Sequence, residues 1–254
     1  MQAQDFADLA QVEAEHWWFD GMREVTDAML RPQLEPHRLS RWLDAGCGAG
    51  FMLNWLRRYG TQSQHGLDFS FDALQHGRAV SAASLTQASV VQLPYASDTF
   101  SVITCFDVLQ QLRHPADDTR ALREFFRLLT PGGLLVVRVA AYRWLWGRHD
   151  RHMHTHYRYN LGEVREQLHA VGFEVLRATH ALCVLLPIAA ALRWAKNALR
   201  TQPASEVKPL PAGLRWLAEP FAATLRWEAQ MLRAFPRWSF PFGLSIVCIA
   251  RKAG

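Results

Sequence analysis

Cysteine is scarce in this sequence. Its four cysteines, Cys47, Cys105, Cys183 and Cys248, form no CxxC pair. That pattern argues against a zinc site and against the disulfide framework of a small secreted protein. No metal is expected, and a reducing cytoplasm is the compartment expected. Long apolar runs are missing too. The stretch "ALCVLLPIAAALRWAKNALR" holds an apolar run of about a dozen residues, short of the roughly 20 that a bilayer span needs. The opening "MQAQDFADLAQVEAEHWWF" carries acids early and lacks the apolar core of a signal peptide. Internal repeats and low-complexity tracts are absent. Strong overall charge is absent as well: the net charge is +5. Residues 181–242 carry eight Arg or Lys against three acids, and this difference equals the whole excess. The rest of the chain is balanced, so a nucleic-acid partner is not expected.

What is present suits a packed core, because half of the 254 residues are apolar. Strand-like and helix-like stretches alternate from "RWLDAG" to "FEVLRAT". Strands are expected at "RWLDAG", "QHGLDFS", "LTQASVVQL", "TFSVITCFDVL", "LLVVRVA", "FEVLRAT" and "GLSIVCIARK". Helices are expected over residues 5–31, "FMLNWLRRYG", "FDALQHGRAVSA", "ADDTRALREFFRLL" and "LGEVREQLHAVG". Alternation of this kind predicts an α/β fold, a largely parallel sheet with helices on both faces. Ligands of such sheets sit at the carboxyl ends of the strands.

The glycine burst "LDAGCGAG" follows the first strand and opens a helix, so it lies at that end. Gly46 and Gly48 let a ligand approach the backbone, and the helix start favours a negative group by about 0.3–1 kcal/mol. A dinucleotide fingerprint, G-x-G-x-x-G, would need glycine at position 51, which is Phe51. An NAD-dependent oxidoreductase is therefore disfavoured. Asp68 ends the second strand, where a carboxylate can accept both hydroxyls of a ribose.

The order Asp44, Gly46, Gly48, Gly50 resembles motif I of the class I S-adenosylmethionine-dependent methyltransferases. "LPYASDTFSVITCFDVLQQL" resembles that family's LPF segment and fourth strand, and "REFFRLLTPGGLLVV" its P-G-G turn before the fifth. "HWWFDGMR" and "HDRHMHTHYRY" resemble a bacterial subgroup acting in glycan, lipid and natural-product pathways. The resemblance implies a Rossmann-like, seven-stranded sheet with an antiparallel last strand, and S-adenosyl-L-methionine as cofactor. It implies that Asp44, Gly46, Cys47, Gly48, Asp68, Phe69, Ser89, Val90 and Phe106 line the cofactor. The domain plan expected is a cap helix (1–35), a cofactor-binding core (36–180), a basic amphipathic helical insertion (181–242) and a final core strand (243–254).

Methyl transfer needs an aligned nucleophile, and a hydroxyl or carbon acceptor also needs a base. The loop after the fifth strand offers His149, Asp150, His156 and Tyr159. Trp18 and Arg23 are expected as lid or substrate residues. In the insertion, Leu214, Leu217, Phe221, Leu225 and Leu232 fall on one helical face, and Arg215, Arg226 and Arg233 on another. Such a helix can roof an acceptor pocket, form a homodimer contact or lie on the inner face of an anionic membrane. The expected partner is a small-molecule, lipid-carried or glycan-linked acceptor. Three residues depart from the family pattern: Ser89 stands for an acid, Ser101 for an Asp and Gln111 for a His. They motivate an alternative, a catalytically degenerate binding partner with the same fold.

Overall fold

The alternating stretches build one seven-stranded sheet in the order β3-β2-β1-β4-β5-β7-β6. The computed structural model describes residues 16–34, 40–147, 150–151, 153–191, 216 and 218–253. Its strands are β1 (Arg41–Ala45), β2 (Ser63–Asp68), β3 (Ser84–Gln87), β4 (Phe100–Phe106), β5 (Leu129–Ala140), β6 (Phe173–Ala181) and β7 (Ser245–Lys252). Its helices are α1 (Trp17–Leu30), α2 (Phe51–Leu56), α3 (Phe71–Val80), α4 (Ala116–Leu128), α5 (Leu161–Val171) and α6 (Ala218–Ala234). Strands β1 to β5 run parallel, and β7 lies antiparallel between β5 and β6.

Successive residues of a strand point to opposite faces, and the two faces hold different helices. Leu43, Ile103, Leu135 and Val137 pack with Leu122 and Phe125 of α4 and with Val164 and Leu168 of α5. Trp42, Val102, Leu134 and Val136 pack with Met22, Val25 and Met29 of α1 and with Leu225, Ala229 and Leu232 of α6. Burial of each such side chain contributes about 1.5–3 kcal/mol. The continuous apolar reading of β4 and β5 follows from this double cover.

Three expectations need adjustment. The third strand stops at Gln87, because Ser89 and Gln92 close a tight turn in which Gln92 N–H donates to the Ser89 carbonyl at 3.1 Å. The Pro131-Gly132-Gly133 turn is enclosed within β5, and β4 and β5 lose register there: Phe100 faces Leu129, and Val102 faces Leu134. The first helix begins at Trp17 among the described residues, and residues 5–15 lie outside them.

Helix α1 and helix α6 of the insertion form one layer on the same face of the sheet. Helix α6 packs along α1, and at Gly21 a Cβ would come within 2.2 Å of Leu225 Cδ1. Glu228, fully buried on α6, accepts the backbone N–H groups of Leu182 and Cys183 at 2.8 Å each. It thereby ties α6 to the chain leaving β6. Burial holds its carboxyl above the usual range.

Candidate active site

The glycine loop is pinned between β1 and β2. Gly46 and Cys47 both donate to the Leu67 carbonyl, at 2.7 and 2.9 Å. Gly46 has φ +85°, and a Cβ there would meet Val108 Cγ2 at 2.1 Å. Gly48 has φ +51°, and its missing Cβ would meet nothing within 4 Å among the described residues. One glycine is thus required by packing behind the loop, and the other fronts open space.

Asp68 stands at the end of β2, beside that space. Its Oδ2 accepts Gly48 N–H at 2.8 Å, and its Oδ1 accepts Ser70 N–H at 2.8 Å. Two backbone donors fix the carboxylate plane and leave further lone pairs for a diol. Phe69 follows, 79% exposed, at the rim. The turn after β3 brings Ser89 and a buried Val90 to the same side of the sheet, because Ala88 N–H donates to the Asp68 carbonyl at 3.1 Å.

Asp44, at the end of β1, is buried and accepts the Thr104 hydroxyl at 2.6 Å. Burial pushes its carboxyl up to about 7, although the Thr104 hydrogen bond and the charge of Arg138 act in the opposite direction. Phe106 ends β4 and pairs in register with Arg138 of β5. The Arg138 guanidinium lies 4.9 Å from the ring centres of both Phe106 and Trp18. Its Nε donates to Asp107 Oδ2 at 2.7 Å. The Trp18 ring thus lies against a cation of the chain itself, near the carboxyl end of β5.

Arg23 is turned elsewhere. It pairs with Asp20 on its own helix and lines a cavity of about 300 Å³ with Glu24, Trp55, Arg58, Ala222 and Arg226. None of the glycine-loop residues lines that cavity.

The proposed base residues separate into two kinds. Asp150 is buried and accepts Arg158 Nε at 2.7 Å and Gly147 N–H at 2.9 Å. Arg158 in turn donates to the Ala141 carbonyl at 3.0 Å. This ion pair folds the loop between β5 and α5. Tyr159 is 1% exposed, and its hydroxyl lies 3.0 Å from Asp118 Oδ2 and 3.2 Å from the Leu109 carbonyl. Burial and the neighbouring Asp118 raise its phenol pKa. Both residues hold the loop in place and face inward. His156 is exposed, and its backbone N–H donates to the Gln110 carbonyl at 2.8 Å, just beyond β4. His149 lies outside the described residues.

Arg138, Asp107 and Thr104 escaped the sequence reading. The signal was there: Arg138 is a lone charge inside the apolar run "LLVVRVA", and a charge that deep in a central strand needs a partner.

A family model described as a methyltransferase domain matches residues 14–178. The malonyl-[acyl-carrier protein] O-methyltransferase of Enterobacter lignolyticus is 33% identical over 114 residues, covering 44% of this chain and 43% of that protein. The 2-phytyl-1,4-naphtoquinone methyltransferase of Thermosynechococcus vestitus is 36% identical over 119 residues, 44% of this chain and 52% of that one. The chain thus matches about half the length of these curated relatives. A chain from the complex of the Haloferax volcanii Trm112 methyltransferase activator with a methyltransferase shares the fold. Its TM-score is 0.60 at 21% identity, over 99% of this chain and 96% of that one.

Proposed function

The chain belongs to the class I S-adenosylmethionine-dependent methyltransferases, and from that premise we propose that it methylates a small-molecule or lipid-carried acceptor at the carboxyl end of its sheet. The observation that carries this reading is the Asp68 carboxylate, held on the Gly48 N–H beside the open space in front of that glycine. The residues fit the cofactor. Asp68 would take the ribose hydroxyls, Ser89 and Val90 would border adenine, and Gly46, Asp44 and Phe106 would border the methionyl arm. When bound, S-adenosylmethionine supplies a methyl group on a sulfonium, open to in-line attack.

The chain's own residues do the rest. Trp18 and Phe106 exclude water from the reacting end, and exclusion of water strengthens charge interactions there. His156, exposed on the loop held to Gln110, is the remaining described candidate for accepting a proton through its imidazole. Calorimetry with S-adenosylhomocysteine tests the cofactor assignment. The wild type binds, and Asp68→Ala loses about tenfold to a hundredfold, as expected for a charged hydrogen-bond acceptor. Absence of wild-type binding at millimolar ligand defeats the reading.

The lipid-carried alternative draws on α6 and the segment after it. Trp227, Phe235, Trp238 and Phe242 are all exposed. Trp227 and Trp238 both touch Phe240, whose carbonyl accepts the His180 N–H near the end of β6. The aromatic patch therefore lies beside the carboxyl end of β6. The basic face expected on this helix is mostly neutralised: Arg226 pairs with Glu219, and Arg233 with Glu24 and Asp27. Arg215 lies outside the described residues. No helix among the described residues is long and apolar enough to cross a membrane. Contact with a lipid surface would thus rest on aromatic insertion more than on charge. The protein should float with anionic vesicles, and Trp227→Ser with Trp238→Ser should release it. Flotation unchanged in the double variant removes this part.

A further inference from the structure

Arg138 is 3% exposed, and its Nη1 has no hydrogen-bond partner among the described residues. A buried guanidinium N–H without an acceptor is costly, and native proteins leave few such groups. The other edge of the same guanidinium is fully engaged. Nε donates to Asp107 Oδ2, and Nη2 approaches the same oxygen at 2.5 Å. The Phe106 and Trp18 rings, each 4.9 Å away, fix the guanidinium between them. The group is held rigidly with one donor corner unused.

Its place in the sheet says what that corner meets. Across the strands, Asp68 of β2 marks the ribose, the glycine loop after β1 marks the bend of the cofactor, and Phe106 of β4 marks the methionyl arm. Arg138 sits opposite Phe106 on β5, one strand further on. On that cofactor reading, Arg138 would stand on the acceptor's side of the methyl group.

We propose that Arg138 anchors a carboxylate of the acceptor through Nη1, so that the acceptor class is a monoanionic carboxylic acid or a molecule bearing one. The inference rests on the methyltransferase reading of the same site and narrows its substrate. Charge balance favours one negative charge over two. Arg138 is already paired with Asp107, and the cofactor's sulfonium contributes one positive charge. A single carboxylate matches that charge, and a phosphate dianion exceeds it beside Asp107. The aromatic walls suit a flat or apolar body behind the carboxylate.

The test uses the full chain and two simple probes, benzoate and its neutral isostere benzamide. Wild type, Arg138→Met and Arg138→Lys are first titrated with S-adenosylhomocysteine. Failure of the wild type to bind defeats the methyltransferase reading itself, an outcome distinct from failure of the carboxylate assignment. Each protein is then saturated with S-adenosylmethionine and titrated with the two probes. Wild type should bind benzoate at least about tenfold more tightly than benzamide, the size of effect expected for one charged hydrogen bond. Arg138→Met should abolish that preference while keeping its S-adenosylhomocysteine affinity within about threefold, and Arg138→Lys should restore part of the preference. Equal or absent binding of the two probes by wild type overturns the proposal. So does an unchanged preference in Arg138→Met. A selective loss of S-adenosylhomocysteine affinity in both variants also overturns it, because Arg138 would then serve the cofactor's own carboxylate. Retained affinity in the lysine variant guards against a methionine variant that simply fails to fold.

Discussion

Replacing Asp44 with Asn should change how the protein's stability depends on pH. The Asp44 carboxyl is buried, with a pKa raised to about 7, chiefly by burial. In the unfolded chain it titrates at about 3.9. Between those values the folded protein holds a proton that the unfolded chain has lost, so folding is favoured at low pH. The stabilisation is complete below about pH 4 and is lost as pH rises through about 7. A difference of about 3 pH units at 1.36 kcal/mol each sets a ceiling of about 4 kcal/mol. Other groups move in the opposite direction: His16, His65 and His180 have pKa values lowered by burial, and they destabilise the fold as pH falls. The informative quantity is therefore the difference between wild type and Asp44→Asn. The amide keeps an oxygen for the Thr104 hydroxyl and has no charge to lose. Urea unfolding at about pH 4.5 and pH 8.5 should show wild type losing about 2–3 kcal/mol relative to the variant as pH rises. Parallel pH profiles for the two proteins would mean that Asp44 ionises normally in the fold, and the electrostatic account of this corner would be wrong.

Two further substitutions bear on packing and on the loop. Gly21→Ala should destabilise the protein by about 1–3 kcal/mol through overpacking against Leu225, although alanine favours helix by about 1 kcal/mol. A thermal melt lowered by several degrees is the expected outcome, and an unchanged or raised melt would mean that α1 and α6 can move apart freely. Tyr159→Phe should cost about 1–2 kcal/mol of stability by leaving Asp118 with one donor fewer, with turnover retained once an acceptor is known. Loss of turnover at unchanged stability would return Tyr159 to the reacting atoms.

The sheet was legible because its signals are local. A strand buried on both faces reads as an unbroken apolar run, as at "VITCF" and "LLVV", and each helix between strands carries its own period and stop. Gly172, which closes α5 at φ +109°, and Asn160 with Glu163, which open it, could be read from residue type alone. The glycine loop and Asp68 were legible for a similar reason: both are fixed by position at strand ends, and position follows from alternation. The end of β3 was not legible. "ASVVQL" has strand-like residues throughout, and only the turn between Ser89 and Gln92 shows that the chain leaves the sheet at Gln87.

The roles of the loop side chains were hidden for a deeper reason. Composition puts His, Asp and Tyr together in "HDRHMHTHYRY", but it does not say which of them the core takes. Asp150 is claimed by Arg158, eight residues on, and Tyr159 by Asp118, forty-one residues back on α4. Each contact satisfies a buried polar group that would otherwise cost about 1–3 kcal/mol, so folding has first use of these side chains and chemistry has what is left over. The same logic works in reverse at Arg138. There the fold supplies Asp107 and two aromatic rings and still leaves one donor unmet. A polar group that the fold buries and fully satisfies, such as Tyr159, is accounted for by stability. Arg138 lies near the carboxyl end of β5 with a donor still unused among the described residues, and that is the ground on which a carboxylate from outside the chain is proposed.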